Sequence, residues 1–372
     1  MNKIRVDLAS RSYDIYVDSN CLSEVGETIK KTNSYDKVII ITDPLVNDLY
    51  GNQVRASVRA AGYKVETVEV PRGEKYKTLS QSFKVYDKLV ELETHRDSFI
   101  LALGGGVVGD MAGFVAATYM RGVDYAQVPT TLLAQVDASI GGKTGVDHPK
   151  GKNLIGAFYQ PKFVLIDVRT ITTLPEKEMK TGLAEIIKYG VIEDAEFFKF
   201  LEANSHHLNT KAFEDEATLR AALKVWQTIV VESCKIKAKV VSQDEREEGL
   251  RMVLNYGHTI GHAIETLTRY DVFTHGEAVS IGMVCAAFIA KKMRMLDKES
   301  SSRVKDLLDK LGLPTMVESL SAKKVIKGLS IDKKVRAGKV QFVLPTKIGK
   351  AEIRNDVSVK TVRQVLKEVG CK

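Results

Sequence analysis

The stretch from Asn255 to Glu277 holds three of the chain's seven histidines, His258, His262 and His275, in the run Asn-Tyr-Gly-His-Thr-Ile-Gly-His-Ala-Ile-Glu followed by His-Gly-Glu. His258 and His262 stand four apart, so on a helix they share one face. Two imidazoles so placed can converge on one divalent cation or one substrate. A histidine on a helix face is ordinarily a hydrogen-bonded packing or surface residue. Three in so short a span, interleaved with glycines that let backbones approach, favour a metal or catalytic role. The zinc-protease pattern does not apply, because Thr259 stands where that motif needs its general-base glutamate.

A second source of chemistry is the turn Gly104-Gly105-Gly106-Val107-Val108-Gly109-Asp110, which contains G-x-G-x-x-G after an apolar run and before a helical pattern. Glycines there permit a tight turn, and open N–H groups at a helix start can hold a pyrophosphate. The usual fingerprint lies in the first strand–helix unit and this one follows about two others, so a nonstandard nucleotide domain is expected. Thr42-Asp43 and the turn Arg72-Gly73-Glu74-Lys75-Tyr76-Lys77 also end strands. Asp43 or Glu74 suits ribose hydroxyls and Lys77 suits phosphate, although plain polar loops have the same composition.

Between Pro129 and Phe158 polar residues are dense: Thr130-Thr131, Gln135-Val136-Asp137, Gly141-Gly142-Lys143-Thr144-Gly145 and Lys150-Gly151-Lys152-Asn153. The spacing is not that of a P-loop, since the residue five before Gly142 is Asp137, and ATP hydrolysis is disfavoured. A mobile glycine loop presenting Lys143 and Lys152 to an anion is the expectation. Glu185 lies in the otherwise apolar Gly182-Leu183-Ala184-Glu185-Ile186-Ile187-Lys188-Tyr189. It can pair with Lys188 at i,i+3 or serve as an oxygen ligand beside imidazoles.

The elements that must position these groups read as two kinds. Ile4, Val6, Leu8 and then Tyr13, Ile15, Val17 alternate as an opening hairpin. Val38–Ile41, Val65–Val70, Phe99–Leu103 and Phe163–Asp167 are short apolar runs ended by turn residues, with helical patterns such as Ser80–Leu92 between them. That texture predicts a parallel sheet covered on both faces. After Leu174-Pro175 helical periodicity dominates, and only Gln341–Leu344 reads as a late strand. The predicted class is therefore an α/β domain with a nonstandard Rossmann-like parallel sheet over residues 1–175, followed by a mainly α-helical domain over 176–372.

Hydrophobic residues at 44% and charged ones at 27% describe an ordinary globular chain, and 372 residues suit two domains. No apolar run is long enough to cross a bilayer, and Met1–Val6 begins a strand rather than a signal peptide. Cys21, Cys234, Cys285 and Cys371 show no ligand or disulfide spacing. A cytoplasmic protein without membrane partners is expected. The net charge of +8 is spread among acidic residues, which fits a basic cleft for a small anionic substrate better than nucleic acid.

Several long motifs resemble 3-dehydroquinate synthase, a sugar-phosphate cyclase family. They are Gly104–Asp110, Tyr119–Gly122, Val128–Thr144, Lys152–Phe158, Gly182–Gly190 and the histidine block, and the likeness runs from about Asp43 to Ile348. The resemblance implies a homodimeric enzyme converting 3-deoxy-D-arabino-heptulosonate 7-phosphate to 3-dehydroquinate and phosphate in the shikimate pathway. It implies bound NAD and a divalent metal, zinc or cobalt. In that chemistry an alcohol is transiently oxidised by NAD, phosphate is eliminated, the hydride returns, and ring opening and aldol closure follow.

By resemblance the metal ligands are Glu185, His258 and His275, which replaces the pairing of His258 with His262; His262 then faces substrate near its phosphate, with Asn255 close by. Asp137, Lys143, Asn153 and Lys188 match positions around substrate hydroxyls and reacting carbons. Lys237 and Arg251 match the carboxylate pair, and Arg121 a residue reaching the neighbouring subunit's phosphate. Lys334 or Lys333 matches a further phosphate contact. NAD is assigned to Asp43, Arg72–Lys77, Gly105–Asp110, Thr130, Thr131, Lys143, Lys152, Thr170 and Thr173. The alternatives are a cyclase whose substrate lacks a carboxylate, a metal-dependent polyol dehydrogenase that consumes NAD stoichiometrically, and a noncatalytic nucleotide- or nucleic-acid-binding protein. The last has little use for Glu185, His258 and His275 together.

Overall fold

The computed structural model describes residues 1–268, 272–318, 320–329, 335–336 and 339–372. The chain divides into two compact units, one of residues 1–174 with 226–246 and one of residues 175–225 with 247–372. A single cut near residue 175 misses one feature of this division. The 28-residue helix Glu216–Gln243 is unbroken, yet its residues from Trp226 onward pack with the first unit. Helical periodicity marks such a helix but not what it packs against.

In the first unit, β1 (Asn2–Val6) and β2 (Tyr13–Asp18) form the expected antiparallel hairpin. The other strands are β3 (Lys37–Thr42), β4 (Lys64–Glu69), β5 (Ser98–Gly104) and β6 (Tyr125–Pro129), and then β7 (Lys143–His148), β8 (Gly151–Phe158) and β9 (Phe163–Asp167). Seven strands make one sheet in the order β1-β2-β9-β6-β5-β3-β4, parallel throughout except at β1. Along β3, Val38 and Ile40 enter one apolar cluster with Val54, Val58 and Phe99, while Ile39 and Ile41 enter another with Val85, Leu89 and Met111. Every β3 residue from Val38 to Ile41 is fully buried, which is why the run is continuously apolar rather than alternating.

The strand order explains the late position of the glycine turn. From β3 the chain passes to β4 on one side and then returns to β5 on the other, so the order reverses between β3 and β5. Ligands of open α/β sheets bind in the crevice at such a reversal, beyond the carboxyl ends of the strands. Thr42 pairs with Leu103, so Asp43 leaves β3 beside Gly104, the last residue of β5.

The segment expected to be a mobile glycine loop is instead the two-stranded hairpin β7–β8, with Lys143 opposite Phe158 and Val146 opposite Ile155. Thr144, Val146 and Ile155 supply β-branched residues that the glycine content masked.

The second unit is built mainly of helices. The late apolar run is one arm of a further hairpin, Phe342–Lys347 with Lys350–Arg354, closed at Ile348 and Gly349. Its second arm, Lys-Ala-Glu-Ile-Arg, is too polar to read as a strand by pattern. Helix His275–Lys292 is largely enclosed, its residues from Gly276 to Ala290 buried apart from Glu277 and Phe288. It packs against helices Glu176–Ile192, His258–Leu267, Lys298–Lys310 and Val359–Glu368. A helix apolar on all faces belongs at the centre of such a bundle.

Candidate active site

The histidine block is divided between two helices, here αA (His258–Leu267) and αB (His275–Lys292), while Glu185 lies on αC (Glu176–Ile192). Gly257 caps αA with φ +80, a conformation that favours glycine. Thr274 and Glu277 close a capping box at the start of αB, where Glu277 Oε2 accepts from Thr274 N at 2.7 Å and Thr274 Oγ1 accepts from Glu277 N at 3.2 Å. His258 and His275 are thus each the first residue of a sharply defined helix.

Two glycines bring these helix ends together. A Cβ on Gly282 of αB would lie 1.9 Å from the carbonyl oxygen of Gly257, and a Cβ on Gly276 would lie 2.5 Å from Cα of Thr181 on αC. Only glycine allows backbones so close, so αA and αC both reach αB near its first turns.

The result is a convergence of side chains from distant parts of the chain. Glu185 Oε1 lies 3.4 Å from Nε2 of His258 and 3.4 Å from Nε2 of His275. One ligand atom from each residue falls within 4.8 Å of the others. Nδ1 of His258 meets the carbonyl oxygen of Tyr256 at 3.0 Å, and Nδ1 of His275 meets Oε1 of Glu265 at 3.3 Å. A carbonyl and a carboxylate only accept, so both imidazoles carry a proton on Nδ1 and turn Nε2 toward Glu185. One carboxylate with two imidazoles is a donor set that fits zinc or cobalt.

Charge is managed at the same place. Glu185 pairs with Lys188, one helical turn on, and both side chains are buried. Burial drives His258 well below its ordinary pKa, opposed by Glu185 and reinforced by Lys188. For His275 burial also works against charge, but the carboxylates of Glu185 and Glu265 prevail and push it up to about 10. His262 shares the αA face with His258, their rings 5.3 Å apart, yet its Nε2 lies 4.0 Å from Oε2 of Glu265 rather than beside Glu185. The i,i+4 argument therefore found a shared face but not the partners: His262 groups with Glu265 and His275, and His258 with Glu185 and His275. Arg251 is buried, and Asn255 Nδ2 donates to Glu247 Oε1 at 3.0 Å.

In the first unit, Gly105 caps the helix Gly106–Thr118, which carries Val107, Val108, Gly109 and Asp110 in its first turns. A Cβ on Gly105 would meet Thr131 Cγ2 at 2.9 Å, so the turn is kept shallow over the end of β5. Thr130 donates its amide to Gly104 O at 3.0 Å, and Thr131 Oγ1 accepts from Ala134 N at 3.3 Å. Asp43 is a helix cap, its Oδ1 accepting from the amides of Leu45 and Val46. Thr170 Oγ1 accepts from Gln135 Nε2 at 2.9 Å, and Thr173 Oγ1 lies 2.7 Å from Tyr50 OH.

Lys77 is the buried hub of this unit's polar residues. Its Nζ donates to Asp110 Oδ2 at 2.5 Å and to Asn153 Oδ1 at 2.6 Å. Asp147 Oδ1 accepts from Asn153 N at 2.7 Å, with Asn153 held at φ +53. Burial raises the Asp110 carboxyl, opposed by Lys77; burial lowers the Lys77 ammonium, but Asp110, Glu74 and Asp147 together raise it overall. Lys237 Nζ pairs with Asp137 Oδ1 at 2.8 Å, joining two residues distant in sequence. Lys152 Nζ lies 3.6 Å from Glu74 Oε1 on the surface turn that also carries Arg72, Gly73, Lys75 and Tyr76. Lys143 and Arg121 are exposed, and Met120 and Arg121 both have positive φ, +50 and +65. Lys333 and Lys334 lie outside the described residues.

Sequence reasoning missed Glu265. It stands seven residues after His258, on the same helix face, and its carboxylate is buried. That spacing was a usable signal, hidden because a glutamate in a helix is ordinarily a solvated residue.

Comparison with known proteins bears on the whole chain. The model of the 3-dehydroquinate synthase N-terminal region matches residues 67–181 and that of the C-terminal region matches residues 182–335. A 3-dehydroquinate synthase of Crocosphaera subtropica is 49% identical, over 98% of this chain and 98% of its own. Among solved structures, a 2-epi-5-epi-valiolone synthase from Streptomyces hygroscopicus subsp. jinggangensis, with NAD+ and Zn2+ bound, superposes with a TM-score of 0.85 at 28% identity over 98% of both chains. A 2-deoxy-scyllo-inosose synthase complexed with carbaglucose-6-phosphate, NAD+ and Co2+ gives 0.84 at 27% identity, covering 99% of this chain and 100% of its own. With both halves matched by one family's models and nearly half of all positions shared with a member along its length, the chain belongs to the 3-dehydroquinate synthase family.

Proposed function

We propose that this chain cyclises 3-deoxy-D-arabino-heptulosonate 7-phosphate to 3-dehydroquinate with release of phosphate, a carbon–oxygen lyase step of the shikimate pathway. The observation that carries the reading is Glu185 Oε1 at 3.4 Å from Nε2 of both His258 and His275, in a chain of this family. Glu185, His258 and His275 would hold a divalent metal, zinc or cobalt. The open amides at the helix start, from Gly105 to Val108, with Gly109, Asp110, Asp43, Thr130, Thr131 and Lys152 around them, would hold NAD. When bound, the metal supplies Lewis-acid polarisation of a substrate hydroxyl and NAD supplies a reversible hydride acceptor.

The chain's own groups bind and orient. In the first unit, Asp137, Lys143 and Asn153 serve substrate hydroxyls and Lys237 serves the carboxylate. In the second, Lys188 serves hydroxyls, Arg251 the carboxylate, and His262 with Asn255 the phosphate. Of these cations Lys188, Lys237 and Arg251 are buried, and a desolvated ammonium or guanidinium binds an oxyanion more strongly than an exposed one such as Lys143. Lys188 also balances the charge of Glu185, its buried partner one turn away. The left-handed backbone of Asn153 has a functional rationale here: strained residues persist where surrounding bonds hold them, as Asp147 and Lys77 do.

By the family resemblance the chain is a homodimer in which Arg121, exposed here, reaches the neighbouring subunit's phosphate. Four buried free cysteines suit a reducing compartment, and the reading places the enzyme in the cytoplasm. No helix of the described residues is long and apolar enough to cross a membrane.

Incubation with the heptulosonate phosphate and substoichiometric NAD, with and without chelator, tests the proposal. Phosphate and dehydroquinate should form in equal amounts, without NADH accumulating, and chelator should stop both. NADH equal to product would mean a dehydrogenase. Turnover only of a sugar phosphate lacking the carboxylate would mean another cyclase.

A further inference from the structure

The two histidines facing Glu185 are oriented in different ways. His258 Nδ1 donates to the backbone carbonyl of Tyr256 at 3.0 Å, two residues away, a bond no substitution can delete. His275 is the first residue of αB, and its Nδ1 donates to a side chain, Oε1 of Glu265, at 3.3 Å. The Glu265 carboxylate is buried, with 7% of the side chain exposed, and lies on αA with His258. Its other oxygen lies 4.0 Å from Nε2 of His262.

We infer that Glu265 is the positioning residue of the metal centre: by accepting the Nδ1 proton of His275 it sets the ring's tautomer and rotation, so that Nε2 faces the cation. The inference rests on the reading of Glu185, His258 and His275 as metal ligands. A ligating imidazole binds well only when the other nitrogen has a fixed acceptor, and a carboxylate there also raises the basicity of the ligating nitrogen. Loss of such a partner lowers metal affinity by about 10–100-fold. The arrangement also gives αA two parts in the centre, one ligand and the group that aims another.

The test measures zinc and cobalt affinity of the full chain by competition with a chromophoric chelator, in the wild type, Glu265→Gln, Glu265→Leu and His258→Ala. Circular dichroism and melting of the metal-free forms check folding. Glu265→Leu should bind zinc about 10–100-fold more weakly. Glu265→Gln, whose amide oxygen still accepts from Nδ1, should recover part of the loss. The visible cobalt spectrum, which reports ligand geometry, should shift in Glu265→Leu and less in Glu265→Gln. A folded Glu265→Leu with wild-type affinity and an unshifted spectrum overturns the inference. If that variant does not fold, Glu265→Ala takes its place: weaker zinc binding with a shifted spectrum, both milder in Glu265→Gln, is expected, and a folded Glu265→Ala with wild-type affinity and an unshifted spectrum overturns the inference. Undiminished affinity in His258→Ala would remove the metal-centre reading itself, a separate failure.

Discussion

Replacing Gly282 by alanine puts a methyl group where αA and αB cross. The added carbon would sit 1.9 Å from the carbonyl oxygen of Gly257 and 3.0 Å from the amide nitrogen of Gly261. The first separation is about 1.5 Å inside ordinary contact between nonbonded heavy atoms. Both neighbours are backbone atoms, so no rotamer change can relieve the clash and the helices must part. Gly257 immediately precedes His258, and His275 opens αB, so the separation is delivered to two of the three candidate ligands. Metal sites keep their distances to about ±0.2 Å, far less than the movement required. Overpacking a buried crossing costs about 1–3 kcal/mol, and a unit of this size loses roughly 2–4 °C in melting midpoint per kcal/mol. The expected result is a lower midpoint in the metal-free protein together with zinc affinity reduced at least about tenfold. Scanning fluorimetry and chelator competition measure the two. Gly249→Ala is the control, since a Cβ there meets nothing within 4 Å. Wild-type midpoint and affinity in Gly282→Ala would refute the idea that this crossing sets the ligand spacing.

His275→Ala should abolish turnover and lower metal content while leaving a folded protein; normal activity with metal retained would refute its assignment as a ligand. Lys77→Met removes the partner of Asp110 and of Asn153 at once. Stripping one member from a buried ion pair is expected to cost about 3 kcal/mol, read as a lower urea midpoint, and to weaken NAD binding by titration. An unchanged midpoint would mean that the pair contributes nothing to stability.

The parts of this molecule that could be read in advance are those governed by local periodicity or by long motifs. Continuous apolar runs ended by turn residues identified β3, β5 and β9, because burial on both faces of a parallel sheet leaves no polar alternation, whereas the edge strand β4 buries only Val65 and Val68 among exposed charges. The opening hairpin was legible from period-two alternation. The β7–β8 hairpin was not, because its glycines read as loop while strand pairing depends on the opposite arm. The polar arm Lys350–Arg354 was missed for the same reason.

The site divides along the same line. That His258 and His262 share a face followed from their spacing alone, and the resemblance supplied Glu185 and His275 as partners. Which atoms meet was decided by the crossing of αA, αB and αC, where Gly276 and Gly282 admit backbone contact. The role of Glu265, the hub at Lys77 and the placing of Asp43 beside Gly104 likewise came only from the packed chain. A helix or strand is specified by residues within a few positions of one another, so sequence determined the elements and their chemistry. Contacts between distant segments depend on how whole elements pack and on strand order, and those were decided only in the tertiary structure.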